Sequence, residues 1–225
     1  MNTIKPTFKS EALPLLLIIV AIIFSFYFYS VFPERVATHW NFEGEANGWS
    51  SKAIAAFAMP VVLIVMYLLF HLFPFLDPKK EKYNQFSKSY HVIKGTILSF
   101  IFVVYILASL EATGAIKAVG QAIPIMLALL FIIFGNYMSK IRSNWFIGIR
   151  TPWTLSSDIV WNKTHRMGGK LFILSGLLIG ACPFLSASWQ LPIFIMVILI
   201  ISLGSVGYSY LAYRKVEGDK KKTRV

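Results

Sequence analysis

Six long apolar runs, with almost no charge inside them, constrain this chain more than any other feature. They are read at about residues 13–32, 53–76, 92–110, 122–139, 171–187 and 191–212. Each is continuous and about 17–24 residues long, the length at which a helix crosses roughly 30 Å of hydrocarbon. In lipid a backbone must satisfy its own hydrogen bonds, so unbroken apolar runs imply helices and not the alternating strands of a barrel. The expected fold class is all-α: a polytopic integral membrane helix bundle of about six transmembrane helices, plus a cytoplasmic interfacial helix argued below. With 56% hydrophobic and 14% charged residues, a soluble domain of this size would lack the polar surface to cover itself. The first run is too long for a signal-peptide core and no small-residue cleavage pattern follows it, so it is expected to stay as a membrane helix.

The basic residues then set a direction. Of the 22 Lys and Arg, 19 fall on one side of the predicted membrane. They lie in the N-terminal tail (Lys5, Lys9), the second loop with the start of the third span (Lys79 to Lys94), the fourth loop (Lys140 to Lys170) and the C-terminal tail (Arg214, Lys215, Lys220, Lys221, Lys222, Arg224). The other side holds Arg35, Lys52 and Lys117. This bias predicts cytoplasmic N- and C-termini in the cell membrane. The net charge of +12 is then a topology signal, with attraction to the anionic lipid bilayer as a second effect. It does not call for direct contact with nucleic acid. One cysteine, Cys182, allows neither an intramolecular disulfide nor a cysteine metal cluster.

Within the runs, polar marks are few. Lys94 sits near one end, where it is expected to snorkel, and no Asp or Glu marks an ion pathway. All six tryptophans fall outside the span interiors, which gives each a default role as an interfacial anchor. Pro60 should interrupt the second span, and neighbouring groups must then satisfy the carbonyl it frees. Gly176 and Gly180 form a GxxxG in the fifth span. Close packing inside the bundle is its main reading, and contact in a homodimer is the other.

The longest segment on the less basic side runs from Pro33 to Lys52. Asn47-Gly48 is a turn signal, and Ser50 or Ser51 can cap the next span. His39 and Glu43 are four apart and would share a helix face, but Gly44 argues against a helix. Even with Glu45 nearby, a metal site, which needs three or four protein ligands, is disfavoured. A polar cap with His39 hydrogen-bonded locally is the main reading, ahead of a recognition surface for something arriving from outside.

The stretch Asn144–Lys170, NWFIGIRTPWTLSSDIVWNKTHRMGGK, carries the densest information. Pro152 pushes Thr151 out of helix and into a turn. Ser156 or Ser157 can cap a helix that begins at Asp158, whose charge suits the first turn. From there no breaker occurs until Gly168-Gly169. The pattern predicts an amphipathic helix at the cytoplasmic interface, joined to the fifth span by a Gly-Gly hinge. Asp158 and His165 would stand roughly 10 Å apart along that helix, too far to bond. No nucleophile–base spacing is present, so the chain is not expected to be an enzyme. Anchoring, or docking of a cytoplasmic partner, remain as roles for the stretch.

The string Gly148–Phe172, GIRTPWTLSSDIVWNKTHRMGGKLF, resembles the signature of the SdpI family of bacterial immunity proteins. Its matching positions are Arg150, Thr151, Asp158, Trp161, Asn162, His165, Arg166, Gly168 and Gly169. Phe32–Lys52 is similar to the N-terminal module that often precedes that signature, at Pro33, His39, Trp40, Asn41, Gly44, Gly48 and Lys52. The resemblance implies two parts. Residues 1–90 would form a two-span module with extracellular loop 33–52, and residues 91–225 a four-span module with cytoplasmic signature loop 140–170.

It also implies a function: protection of the producing bacterium against a secreted toxic peptide (SdpC-like), and signalling by sequestering a cytoplasmic transcriptional autorepressor (SdpR-like). No cofactor and no metal are implied. A small membrane transporter or channel is the alternative, disfavoured by the shortage of ionisable groups in the spans and the lack of visible repeats.

Overall fold

The computed structural model describes residue 4 and residues 6–222, the last three of these without side chains. Lys5 and Arg224, and the side chains of Lys220, Lys221 and Lys222, therefore lie outside the described residues. Among the described residues six helical segments are long and apolar enough to cross a membrane, and the chain is an all-α, multi-pass membrane bundle. The elements are α1 (Phe8–Val31), β1 (Arg35–Trp40), β2 (Ala46–Ser51), α2 (Lys52–Leu76), α3 (Ser87–Ala112), α4 (Val119–Met138), α5 (Pro152–Ser156), α6 (Asp158–Ala181) and α7 (Ala187–Lys222). Short 3-10 turns at Lys80–Phe86 and Cys182–Phe184 lead into α3 and out of α6.

The helices sort into two groups of three. α1, α2 and α3 pack on one another around Phe28, Leu63, Leu98 and Tyr105. α4, α6 and α7 form the second group, and the broad helix contact between groups is α3 against α4. The boundary expected at residues 90/91 falls inside α3, a continuous helix that packs both ways. Between the groups lie two apolar cavities. One of about 670 Å³ sits under the β-hairpin, and one of about 540 Å³ sits against Phe146–Thr151 at the other end.

Prolines show how strictly the backbone is satisfied. Pro60 and Pro74 lie inside α2, and each removes the N–H that would bond the carbonyl four residues earlier. Those carbonyls belong to Ala56 and Phe70. Tyr105 donates its hydroxyl to the Ala56 oxygen at 3.0 Å, and Tyr90 donates to the Phe70 oxygen. Both tyrosines come from α3 and are buried. The expected re-satisfaction at Pro60 is thus a specific interhelical bond, repeated at Pro74.

The second group is built on backbone contact. A Cβ on Gly135 would sit 2.5 Å from the Gly169 carbonyl oxygen, and one on Gly169 would sit 2.6 Å from that of Gly135. One turn set further along, a Cβ on Gly176 would be 2.8 Å from the Ala128 carbonyl oxygen, and one on Gly180 would be 3.1 Å from Ala128 Cβ. The GxxxG therefore packs inside the bundle, against α4. Gly168 and Gly169 are not a hinge. The expected interfacial helix and the fifth span are one helix, α6, which runs on through both glycines. Their missing side chains are used for close approach, to Ile149 in the case of Gly168.

Two further departures follow from side-chain hydrogen bonding. The segment between α1 and α2 is a two-stranded antiparallel hairpin. Its turn is at Asn41–Glu45 and not at Asn47-Gly48, because Asn41 Oδ1 accepts from the Glu45 N–H at 2.8 Å and Gly44 adopts φ +78°. Lys94 does not snorkel. It is 2% exposed and bonded to Glu11 at 2.7 and 2.8 Å. Helix α1 begins earlier than the apolar run, which brings a carboxylate into the bundle.

Replacing Tyr105 by Phe keeps the ring and leaves the Ala56 carbonyl unpaired. The expected loss is about 0.5–2 kcal/mol, read as a lower melting temperature of the purified protein in detergent. An unchanged melting temperature would mean that another donor reaches that carbonyl.

Candidate functional site

The signature stretch builds a compact cap at one end of the bundle. Thr151 N-caps α5: its Oγ1 accepts from the Thr154 N–H at 3.2 Å, while Thr154 Oγ1 accepts from the Thr151 N–H at 2.9 Å. Pro152 occupies the first helical position, where a missing N–H does no harm. Thr151 Oγ1 also donates to Ser209 Oγ at 3.1 Å, which ties the loop to α7. Ser157 caps α6, its Oγ accepting from the Val160 N–H at 3.4 Å.

Trp161 and His165 form the interior of the cap. Trp161 Nε1 donates to the Ile141 carbonyl at 2.8 Å, and the His165 ring stacks on the indole at 4.0 Å between centroids. His165 Nδ1 is 2.9 Å from the Trp161 carbonyl oxygen, so it must donate. Nε2 accepts from the Ile149 N–H at 3.0 Å, so it must be unprotonated. That assigns one neutral tautomer with both nitrogens satisfied. Gly148, with φ +120°, passes over this pair, and a Cβ there would lie 2.3 Å from His165 Nε2.

Residues outside the expected set lock the cap to the first helix group. Asp77, 2% exposed at the end of α2, accepts from the Lys79 N–H at 2.7 Å, the Tyr83 hydroxyl at 2.8 Å and the Trp145 N–H at 2.8 Å. Lys79 Nζ donates to Ser143 Oγ at 2.6 Å, and Lys82 pairs with Asp158 at 2.6 Å. Asn144 is fully buried. Its Oδ1 accepts from the N–H groups of Phe146 and Ile147, and its Nδ2 donates to the carbonyls of Arg142 and Ile147. Asp77 had a faint sequence signal, a lone acid between an apolar run and a lysine-rich turn. Asn144 had none, since its role depends on a loop conformation that no spacing encodes.

The signature residues thus divide. Thr151, Trp161, His165, Gly168 and Gly169 are buried, whereas Arg150, Asp158, Asn162 and Arg166 are exposed. Arg150 is fixed by one donation, Nη1 to the Trp145 carbonyl at 2.5 Å. Trp161 and His165 are turned away from any surface, so neither is an interfacial anchor or a docking contact. Asp158 and His165 have separate partners, as their axial distance requires.

At the opposite end, the hairpin closes over the bundle. Val36 is buried with Phe28, Phe32 and Tyr105. His39 Nδ1 lies 2.5 Å from Asn47 Oδ1, the local bond expected of a polar cap. Gly48 faces His39, where a Cβ would be 2.9 Å from His39 Cβ. Gly44 meets Gly120 at the start of α4, and Phe42 meets Phe194 of α7. Trp40 ends β1 half-buried and lines the cavity beneath, and Lys52 Nζ lies 5.1 Å from the Tyr29 ring centre. Ser51 caps α2, and Glu111 caps α4 by accepting from the N–H groups of Ala118 and Val119 at 2.8 and 2.7 Å. Among the described residues no group of three His, Cys, Asp or Glu is placed to hold a metal.

The Gly148 geometry generates a direct test. Gly148→Ala should destabilise the protein by about 1–3 kcal/mol through strain and overpacking. Combined with His165→Ala, the loss should be smaller than the sum, because the second change removes the atom that the new methyl strikes. Additive losses in melting temperature would show that the two positions do not share one contact.

Residues 140–209, which contain this cap, match the SdpI/YfhL protein family. Residues 16–64, from α1 through the hairpin into α2, match a domain of unknown function, DUF1648. Over 212 residues the chain is 26% identical to the Immunity protein SdpI of Bacillus subtilis (strain 168), covering 94% of this chain and 100% of that protein. No solved structure matches. The cap therefore lies within the stretch that matches the SdpI/YfhL protein family, and the likeness to the immunity protein runs along nearly the whole chain.

Proposed function

We propose that this chain is a membrane immunity protein that protects its cell against a secreted, SdpC-like toxic peptide. The observation that carries the reading is the apolar cavity of about 670 Å³ directly beneath the hairpin. It lies between the two helix groups, is roofed by Val36, Trp40 and Phe42, and is backed by Tyr105, Leu127 and Phe194. A cleft of this size and apolar lining suits an apolar peptide segment. The likeness to a protein named for immunity supports the same reading. The hairpin end faces outward in this proposal and both termini are cytoplasmic, as the bias of basic residues favours. In this proposal the two-span module supplies the hairpin roof, while the four-span module supplies the back of the cavity and carries the signature.

The finer proposal is that the signature end recruits a cytoplasmic, SdpR-like repressor. Arg150, Asn162 and Arg166 form its exposed contact surface, with Asp158 held by Lys82. Thr151, Trp161, His165, Gly168 and Gly169 support that surface from within. A transporter or channel is the second reading, favoured by the Glu11–Lys94 pair inside the bundle.

Orientation is tested with single cysteines at Ala46 and Ser156 in a Cys182→Ala background. A membrane-impermeant thiol reagent on intact cells should label position 46 and spare 156, and the reverse pattern would invert the topology.

Function is tested in a toxin-sensitive host. Ala108→Phe fills the cavity and should abolish survival on toxin challenge at normal membrane abundance, and full survival would exclude the cavity. Arg166→Ala should reduce repressor recruitment to the membrane while leaving abundance and survival intact. His165→Ala should instead lower abundance, and with it both activities.

A further inference from the structure

The second cavity, of about 540 Å³, lies between the helix groups at the signature end. Its wall carries Phe70, Ile97, Phe134, Phe172 and Ile201, and its size suits a small molecule or one chain of a larger one. On one side α3 packs on α4 and closes it. On the other, α2 and α7 both line the cavity without a broad contact between them, so that side is left to the surrounding lipid.

The polar side chains in this lining are Arg150, Thr151, Ser202 and Ser205. Two are spent: Thr151 Oγ1 donates to Ser209 Oγ at 3.1 Å, and Ser202 Oγ donates to the Ile198 carbonyl at 2.6 Å. Ser205 is different. It is 4% exposed, and its Oγ has no hydrogen-bond partner, not even on its own helix. A buried hydroxyl left so is costly, and an acceptor inside the cavity would relieve it. Arg150 is exposed. Among the described residues its guanidinium makes one hydrogen bond, from Nη1 to the Trp145 carbonyl, and joins no ion pair. Asp77 and Asp158, acids at the same end, are engaged by other donors. Depth orders these groups. Thr151, next to Arg150, is tied to Ser209, and Ser205 lies four residues back along α7, roughly 6 Å deeper. Ile201 follows one turn deeper still.

We infer that this cavity binds an anionic phospholipid of the bilayer, with one acyl chain inserted between α2 and α7 and the headgroup phosphate on Arg150. The free donors of Arg150 form a planar fork suited to phosphate, and basic pockets between membrane helices hold anionic headgroups in this way. Ser205 Oγ donates to an ester carbonyl, and the chain lies against Ile201, Phe134 and Phe70. The sequence cation, hydroxyl, apolar wall thus follows the lipid's own order of phosphate, ester and hydrocarbon. The bound chain fills the space between the helix groups and stabilises the bundle by mass action. The site is independent of the immunity reading, and the guanidinium has donors for both a lipid and a protein partner.

The test titrates the full chain, purified in detergent, with phosphatidylglycerol and follows its melting temperature. Phosphatidylglycerol should raise it. Inorganic phosphate, which brings the headgroup chemistry alone, and diacylglycerol, which brings chains and esters alone, should each raise it less at the same concentration. No rise, or an equal rise from either fragment, overturns the inference. Arg150→Ala should weaken phosphatidylglycerol binding about tenfold or more, as loss of a charge-assisted contact does. Lys163→Ala removes the same charge from an exposed position on α6 and should leave binding unchanged. Equal weakening in both variants would reduce the effect to diffuse attraction between a basic surface and anionic lipid, and the site would fall. Should Arg150→Ala not fold, phosphatidylglycerol with a photoactivatable group on its acyl chain decides on the wild type. Crosslinks should include the cavity residues Phe134 and Ile201. Crosslinks confined to exposed residues such as Leu177 and Leu203 overturn the proposal.

Discussion

In hydrocarbon no water satisfies a stray backbone group, and the design of this bundle follows from that constraint. Helix α2 breaks its own ladder twice, at Pro60 and Pro74. Each freed carbonyl then becomes an obligatory acceptor for α3, and Tyr105 and Tyr90 supply the donors. A defect in one helix is thereby converted into specificity between two. Leu against Leu would pack α2 on α3 in many registers with similar energy, because lipid tails are as apolar as the side chains. Two hydroxyls fifteen residues apart, each with one carbonyl to meet, leave far fewer.

The second group solves the same problem without prolines. Gly135, Gly169 and Gly176 let α4 and α6 touch backbone to backbone, so dispersion between main chains replaces the missing hydrophobic drive. The two groups differ in kind, and the space between them is left apolar and incompletely filled. Closure falls to the ends. At one end the hairpin reaches Gly120 and Phe194. At the other, Asp77 gathers Lys79, Tyr83 and Trp145, and Phe73 stacks on Phe146 at 4.6 Å. A bundle joined firmly at its ends, with a cleft between halves, can admit an apolar guest without unpairing a single backbone group.

The number, placement and helical nature of the spans were legible, because a run of apolar residues has one solution in lipid. The caps at Ser51 and Ser157 were legible for a similar reason, since short polar side chains beside a helix start have few other uses, whereas Thr151 reads as part of a turn and in fact caps α5. Three things were not. Gly168-Gly169 reads as a hinge from the sequence because glycine is permissive, and only the presence of Gly135 and Ile149 opposite shows that it is a contact. Trp161 reads as a membrane anchor, yet its partner is the Ile141 carbonyl, twenty residues away. Glu11 lies outside the apolar run, so a span-by-span reading could not place it beside Lys94, eighty-three residues on. In each case the missing information is a neighbour distant in sequence, which periodicity cannot supply.

A signature made largely of buried residues says little about partners. Of the nine signature positions, the five that are buried make the bonds and clearances by which the cap folds. Likeness at Thr151, Trp161, His165, Gly168 and Gly169 therefore speaks for a shared cap. It is silent on what the cap meets, since a buried ring contacts no partner. Only Arg150, Asp158, Asn162 and Arg166 present atoms outward, and Asp158 is already taken by Lys82. Arg150 is held in place by the Trp145 carbonyl with donors to spare, and a guanidinium so positioned is pre-organised for a carboxylate or phosphate. The case for docking at this end thus rests on three side chains and not on nine. It is also separable from the case for the fold, because changing those three leaves every buried bond of the cap in place.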